Sequence, residues 1–282
     1  MRTFRYALCD VFTDRRFEGN PLAVFTDARG LDDATMQALA RELNLSESAF
    51  VFRPEQGGHA KIRIFTPKRE VPFAGHPILG AAVVMAGPMQ MVSLRLETGA
   101  GMVEVRLERE GARVSFATMA QPLPTIAPFP RPAALFSALG VAGSRLPVEI
   151  YDNGIRHVFV VLDHKEDVAT LCPAPSQLAA ISEAASFNVC AGAGDSWKTR
   201  MFSPAFGVPE DPATGSAAGP LALHLARHGL IPFGQEIRIE QGAELGRPST
   251  LYARPVGSAD HLDRIDVGGA AVVVARGEFH LP

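Results

Sequence analysis

The sequence predicts an α+β protein of two pseudo-symmetric lobes, each a β-barrel wrapped around a central buried helix, and three observations predict it. Phe50, Val51, Arg63, Phe65, Thr66, Pro67, Val71 and Pro72 recur as Phe187, Val189, Arg200, Phe202, Ser203, Pro204, Val208 and Pro209. The offset is about 137 residues, half of the chain, with Val51 against Val189 one residue out, and so constant a spacing reads as one design used twice. Short β-branched or aromatic runs between turn residues dominate both halves, which is how strands are written. Finally, Pro77-Ile-Leu-Gly-Ala-Ala-Val-Val-Met-Ala86 and Gly215-Ser-Ala-Ala-Gly-Pro-Leu-Ala-Leu-His-Leu-Ala226 are apolar nearly all round. A helix without a polar face has to be buried, and the inside of a curled sheet is the place for it.

In chain order, strands are expected over Phe4 to Phe12 and Leu22 to Phe25. A helix follows from Ala34 to Leu43, with Asp33 as its cap, Met36, Leu39, Ala40 and Leu43 on one face, and Asn44 as a stop. Strands over Ala49 to Phe52 and Ile62 to Phe65 lead to the first buried helix. Three more, Ser93 to Glu97, Gly101 to Leu107 and Arg113 to Ala117, close the first half. Prolines 122, 124, 128, 130 and 132 then fix φ and remove donors, which suits an extended connection. The expected lobes are therefore 1–120 and 133–282, joined by 121–132. In the second lobe, strands are read at Val148 to Tyr151, His157 to Leu162, Thr199 to Phe202, Glu236 to Glu240, Leu251 to Pro255 and Ala270 to Ala275. An amphipathic helix is read from Pro175 to Ala185.

Composition narrows the function. The chain of 282 residues is 47% hydrophobic and 20% charged, enough apolar material for a sizeable core. With 27 basic against 30 acidic residues, nothing resembles a footprint for nucleic acid or an acidic membrane. Cys9, Cys172 and Cys190 are an odd number without CxxC spacing, which argues against a disulfide framework or a thiolate zinc site. The amino terminus enters a strand at once without an apolar leader, and a cytoplasmic protein is expected.

Both buried helices open with small or polar residues, Ala74-Gly75-His76-Pro77 and Asp211-Pro212-Ala213-Thr214-Gly215-Ser216. Free N–H groups and the positive dipole end make such a start an anion site. If a twofold relates the lobes, the two starts face one another across a cleft. Weaker signals fall away. His224 and His228 have i, i+4 spacing, but lack the glutamate of a metalloprotease and an evident third ligand, and read as helix-surface residues. Gly192-Ala-Gly194 does not complete a dinucleotide fingerprint. Asn20, in Gly-Asn-Pro, falls in one of the motifs described below, but a turn explains it equally well.

Four motifs in order carry a more specific resemblance: Asp10-Val-Phe-Thr-Asp-Arg-Arg-Phe-Glu-Gly-Asn-Pro-Leu-Ala-Val-Phe25, Leu45-Ser-Glu-Ser-Ala-Phe-Val51, Arg63-Ile-Phe-Thr-Pro67 with Gly75-His76, and Glu210-Asp-Pro-Ala-Thr-Gly-Ser-Ala217. Together they resemble the PhzF-like phenazine-biosynthesis family through both halves. That resemblance implies the diaminopimelate epimerase fold, a homodimer and an isomerase needing no redox or metal cofactor. It gives proton transfer to Glu47, helped by His76 and Asp211, and places Ser46, Gly75, Gly215 and Ser216 on a small anionic substrate. In the family's characterised branch the substrate is a dihydro-hydroxyanthranilate, converted to an aminoketone.

Relatives of this fold that racemise amino acids use two cysteines at the helix starts; neither is present here, which disfavours two-thiol chemistry. A carboxylate can serve, because partial desolvation raises its pKa toward neutrality. Epimerisation by Glu47 and Asp211 from opposite faces, and metabolite binding without turnover, are the alternatives. The chain also departs from the family pattern. It has Phe73-Ala74-Gly75-His76-Pro77 where related patterns often show Cys-Gly-His-Ala, and Ala218-Gly219 where the characterised branch often has a histidine. The resemblance therefore leaves the substrate open.

Overall fold

The computed structural model describes residues 2–181 and 185–281. The first half runs β1 (Arg2–Val11), β2 (Asn20–Phe25), α1 (Asp33–Leu43), β3 (Glu47–Phe52), β4 (Ala60–Phe65), β5 (Glu70–Val71), α2 (Gly75–Met89), β6 (Ser93–Thr98), β7 (Gly101–Glu110) and β8 (Arg113–Gln121). After β9 (Thr125–Pro128) and α3 (Pro132–Leu139) come β10 (Glu149–Asp152), β11 (Arg156–Val161), α4 (Lys165–Ala169), α5 (Pro175–Ile181), β12 (Ala185–Ala193), β13 (Ser196–Ser203) and β14 (Val208–Asp211). The chain ends with α6 (Gly215–Arg227), β15 (Ile237–Gln241), β16 (Ser249–Gly257), β17 (Leu262–Gly269) and β18 (Ala271–Leu281).

Strand pairing carries the repeat further than the residue matches did. In the first half β2 lies parallel to β3, β3 and β5 flank β4 antiparallel, β4 lies parallel to β6, and β6, β7 and β8 form a meander. In the second, β11 lies parallel to β12, β12 and β14 flank β13, β13 lies parallel to β15, and β15, β16 and β17 form the meander. The last strands are exchanged: β9 pairs with β10, and β18 with β1. Pairing of β17 with β8 then joins the strands of the described residues into one 18-stranded sheet.

The two helices sit where their composition requires. Every residue of α6 from Gly215 to Ala226 is buried, and α2 is buried from Gly75 to Val84. Val11, Leu22, Ala49, Leu94 and Val105 of the surrounding strands pack in one apolar cluster with Ile78, Leu79, Ala217 and Leu221. Fully burying a residue of this type is worth roughly 1.5–3 kcal/mol, so the helices are held by their surroundings rather than by amphipathicity.

Some expectations need correcting. The cap of α1 is Asp32, whose carboxylate accepts from the Thr35 amide at 2.8 Å, with Asp33 already in the first turn. Asn44 does stop that helix, in the left-handed conformation at φ 49°. α5 ends at Ile181, the expected extension to Ala185 crosses residues outside those described, and Ala185 itself starts a strand that contains Cys190. The proline-rich stretch holds β9, whose prolines fall at its edges. Neither α3 nor β17 was expected, and His224 is fully buried rather than at a helix surface.

Candidate active site

The starts of α2 and α6 meet backbone to backbone. A Cβ on Gly75 would lie 2.5 Å from the Gly215 carbonyl carbon and 2.5 Å from the Ser216 nitrogen. A Cβ on Gly215 would lie 2.7 Å from the Phe12 ring and 3.1 Å from the Gly75 carbonyl carbon. Glycine is thus a steric requirement at both points. Neither helix has a side-chain cap or an acidic residue in its first turn. Two positive dipole ends therefore abut with no acidic residue in either first turn, an arrangement that a carboxylate between them relieves.

Polar side chains from both halves converge beside these tips. Asn20, the first residue of β2, is fully buried, and its Nδ2 donates to Asp211 Oδ1 at 2.8 Å and the Ala213 carbonyl at 2.9 Å, with His76 Nδ1 at 3.3 Å. Asp211, at the end of β14, also accepts from Ser46 Oγ at 2.8 Å and Thr214 Oγ1 at 2.6 Å. Gln241 completes the frame by donating to the Asp211 carbonyl at 2.7 Å while accepting from the Thr214 amide at 3.1 Å. The Asp211 carboxylate thus spends its acceptors on Asn20 and Ser46 of the first half and on Thr214 of its own.

Glu47 begins β3, beside Leu22 in the parallel register, and its Oε2 lies 3.6 Å from His76 Nε2. Both atoms are buried and neither has a hydrogen-bond partner. Since buried polar atoms are normally paired, two orphans facing one cleft mark where ligand atoms belong. Burial and the neighbouring Asp211 carboxylate hold Glu47 well above the usual carboxylate range. Burial pushes Asp211 up to about 6, against hydrogen bonds from Thr214, Ser46 and Asn20 that pull it down. Burial lowers His76 to about 3, so its ring is neutral at neutral pH. Nδ1 faces the Asn20 amide nitrogen, which cannot accept a hydrogen bond, so the ring proton sits on Nε2, directed at Glu47.

The cleft is lined further by Thr66, Arg69, His157, Met201, Ser203 and Phe206, and encloses about 40 Å³ of free space. Among the predicted residues Glu47, His76, Asp211, Gly75, Gly215 and Ser216 line it, while Ser46 reaches it through Asp211. Asn20 and His157 are additions. His157, on β11, is buried, is lowered to about 3 by that burial, and places Nε2 at 3.0 Å from Ser216 Oγ. Its run Arg156-His-Val-Phe-Val-Val161 reads only as a strand, so no signal in the sequence marked it.

The thiols are elsewhere. Cys9 and Cys190 are buried in β1 and β12, and Cys172 is exposed; burial lifts Cys9 well above the thiol range and Cys190 up to about 12. His224 and His228 acquire the partner the sequence did not reveal. Glu149 of β10 brings Oε2 to 3.3 Å from His224 Nδ1 and 3.0 Å from His228 Nε2. Arg227 Nη1 donates to the same oxygen at 3.0 Å and to Tyr151 Oη at 2.7 Å. A guanidinium already occupies the carboxylate a cation would need, and the cluster works as a brace between α6 and β10.

Comparison with known proteins finds relatives over nearly the whole chain. Residues 9–277 match the family PhzC-PhzF, described as phenazine biosynthesis-like protein. The trans-2,3-dihydro-3-hydroxyanthranilate isomerase of Pseudomonas aeruginosa is 50% identical over 277 residues, covering 98% of this chain and 99% of that protein. Its counterpart from Pseudomonas fluorescens is 51% identical over 276 residues, with the same coverage of both. A crystal structure of a Bacillus anthracis PhzF-family phenazine biosynthesis protein superposes with a TM-score of 0.86 over 100% of both chains at 24% identity, a likeness of fold. No helix among the described residues is long and apolar enough to cross a membrane.

Proposed function

The chain belongs to the PhzC-PhzF family and is an isomerase of it, and we propose that it moves one proton between ring carbons of trans-2,3-dihydro-3-hydroxyanthranilate, or of a close carboxylate-bearing relative, with Glu47 as acid and base. The observation that carries this reading is the pair of buried, unpartnered atoms Glu47 Oε2 and His76 Nε2 beside two abutting helix starts. The substrate carboxylate lies against the N–H groups around Gly75, Gly215 and Ser216, where charge developing on the conjugated ring is also met. Ionised Glu47 takes the proton from the hydroxyl-bearing carbon, the double bonds shift, and the same carboxyl returns it to another ring carbon. The resulting enol tautomerises to the aminoketone; atoms and electrons balance without an oxidant. Neutral His76 donates from Nε2 and steadies whichever state of Glu47 is charged.

His157 positions Ser216, and Asp211 holds Asn20, Ser46 and Thr214 in place. The chain works as a cytoplasmic homodimer of two-lobed subunits, divided at 121–132. The 50% identity to proteins named for that substrate supports the substrate. Glu47→Gln keeps the shape and removes the base; turnover of trans-2,3-dihydro-3-hydroxyanthranilate falls by about 10²–10⁴ with circular dichroism unchanged. Undiminished turnover refutes the assignment.

A further inference from the structure

The mouth of the cleft is crossed by two contacts between the halves. Lys68 Nζ donates to the Ala205 carbonyl at 3.3 Å, and the Arg69 guanidinium stacks over the Phe206 ring at 4.3 Å. The Lys68–Ala205 pair is separated by 137 residues, and Arg69 and Phe206 by the same offset, which is that of the internal repeat. Positions equivalent in the two halves therefore touch each other, and the approximate twofold axis runs from this mouth down to the Gly75–Gly215 contact at the floor. At these equivalent positions the residues differ: one half offers a cation, the other an aromatic face.

Arg69 is fixed by its own turn. Thr66 Oγ1 accepts from the Lys68 and Arg69 amides at 3.2 and 3.0 Å and donates to the Arg69 carbonyl at 2.9 Å. Neighbouring Glu70 is committed to Arg63, whose Nε donates to it at 2.7 Å, and so leaves Arg69 unneutralised. Among the described residues lining the cleft, Arg69 is the one lysine or arginine. Deeper in stand Glu47 and Asp211, which repel an incoming carboxylate whenever either is ionised. The free space of about 40 Å³ is also far below the ~300 Å³ of even small ligand sites, so substrate entry parts the mouth and takes Arg69 off Phe206.

We propose that Arg69 is the specificity-determining residue of the cleft, a fixed cation at the mouth, parked on Phe206 between turnovers, that captures the carboxylate of an incoming ligand and so favours entry of small organic anions. This rests on the reading of the cleft as an isomerase site for such a molecule. A charge at a rim acts on association and its salt dependence more than on dissociation.

The test is stopped-flow binding of anthranilate, a fluorescent carboxylate that cannot isomerise, and of its neutral amide. Wild-type association with anthranilate slows on going from low to high salt. Arg69→Gln slows it by about tenfold at low salt and flattens the salt dependence, while Arg69→Lys restores both, because charge suffices. Anthranilamide is insensitive to either change. Equal association of anthranilate with wild-type and Arg69→Gln protein, an equal loss for the amide, or no binding to wild type at millimolar concentration overturns the proposal. Should Glu47→Gln retain turnover while the capture results hold, the catalytic reading fails and the capture role stands; the converse separates them the other way.

Discussion

Replacing Gly75 by alanine probes the contact on which the site is built. The added methyl would sit 2.5 Å from two backbone atoms of Gly215 and Ser216 and 2.7 Å from the Gly215 Cα. Ordinary contact begins near 3.4 Å, so the helix starts must separate by about 1 Å, and backbone, unlike a side chain, has no rotamer into which to retreat. Overpacking of this kind costs roughly 1–3 kcal/mol. A 1 Å misplacement of reacting groups costs about 10²-fold in rate. Gly75 has ordinary helical φ, so no conformational penalty confuses the result. The expected outcome for Gly75→Ala is an unfolding free energy, measured by urea denaturation, lowered by an amount within that range, and turnover down about 100-fold. Gly87→Ala, at a helical glycine whose Cβ would meet nothing within 4 Å, serves as control and stays at wild-type turnover. Wild-type turnover in Gly75→Ala would refute the idea that abutting helix starts define the substrate anion site.

Two pH dependences follow from the buried groups. Glu47 must be ionised to act as base, so kcat/KM rises with pH along a limb whose midpoint lies above the ordinary 4.5; Asp211→Asn removes a neighbouring negative charge and moves that limb to lower pH, and a limb that stays put contradicts the coupling. Stability behaves differently: His76 and His157 stay neutral in the folded chain down to about 3, against an ordinary 6.5, so the stabilisation they share is complete above 6.5 and is lost as pH falls below it. Asp211, raised to about 6 from 3.8, opposes this, since its contribution is full below 3.8 and is lost as pH rises toward 6. Below 6.5 the two histidines, protonated only in the unfolded chain, lower stability, while Asp211 and Glu47, protonated earlier in the folded chain, oppose them; His157→Gln removes one of the two histidine contributions, so the urea midpoint falls less on acidification. A slope unaffected by that substitution counts against a neutral, buried His157.

Much of the site was legible because its constraints are local in sequence. The Leu45-Ser-Glu segment and the two small-residue helix starts are written as contiguous motifs, and the apolar faces of α2 and α6 demanded burial before any strand was placed. What the sequence concealed was the company its residues keep. Asn20 follows a glycine at +66° and precedes a proline, so a turn accounts for it as well as its motif does; only tertiary folding brings Asp211 and Ala213 within reach of its amide. His157 is masked by its strand, and Glu149 is far along the chain from the histidines it joins. Leu262-Asp-Arg-Ile-Asp-Val267 carries too many charges to read as a strand, yet its Asp266 is buried against Arg106, Arg254 and Arg264, which offset it. The exchange of β9 and β18 between halves is equally invisible, because pairing partners are chosen by the whole sheet.

The claim at the centre is that one carboxyl, Glu47, both removes and returns the proton. A single turnover of unlabelled trans-2,3-dihydro-3-hydroxyanthranilate in D₂O, with the product read by NMR, tests it most directly. In a buried cleft that the bound substrate fills, the proton held by Glu47 exchanges slowly with solvent, and a measurable fraction of product carries the substrate's own hydrogen at the carbon that receives it. Complete deuteration at that carbon in the first turnover would mean that a second group delivers the proton, and the single-carboxyl account would be wrong.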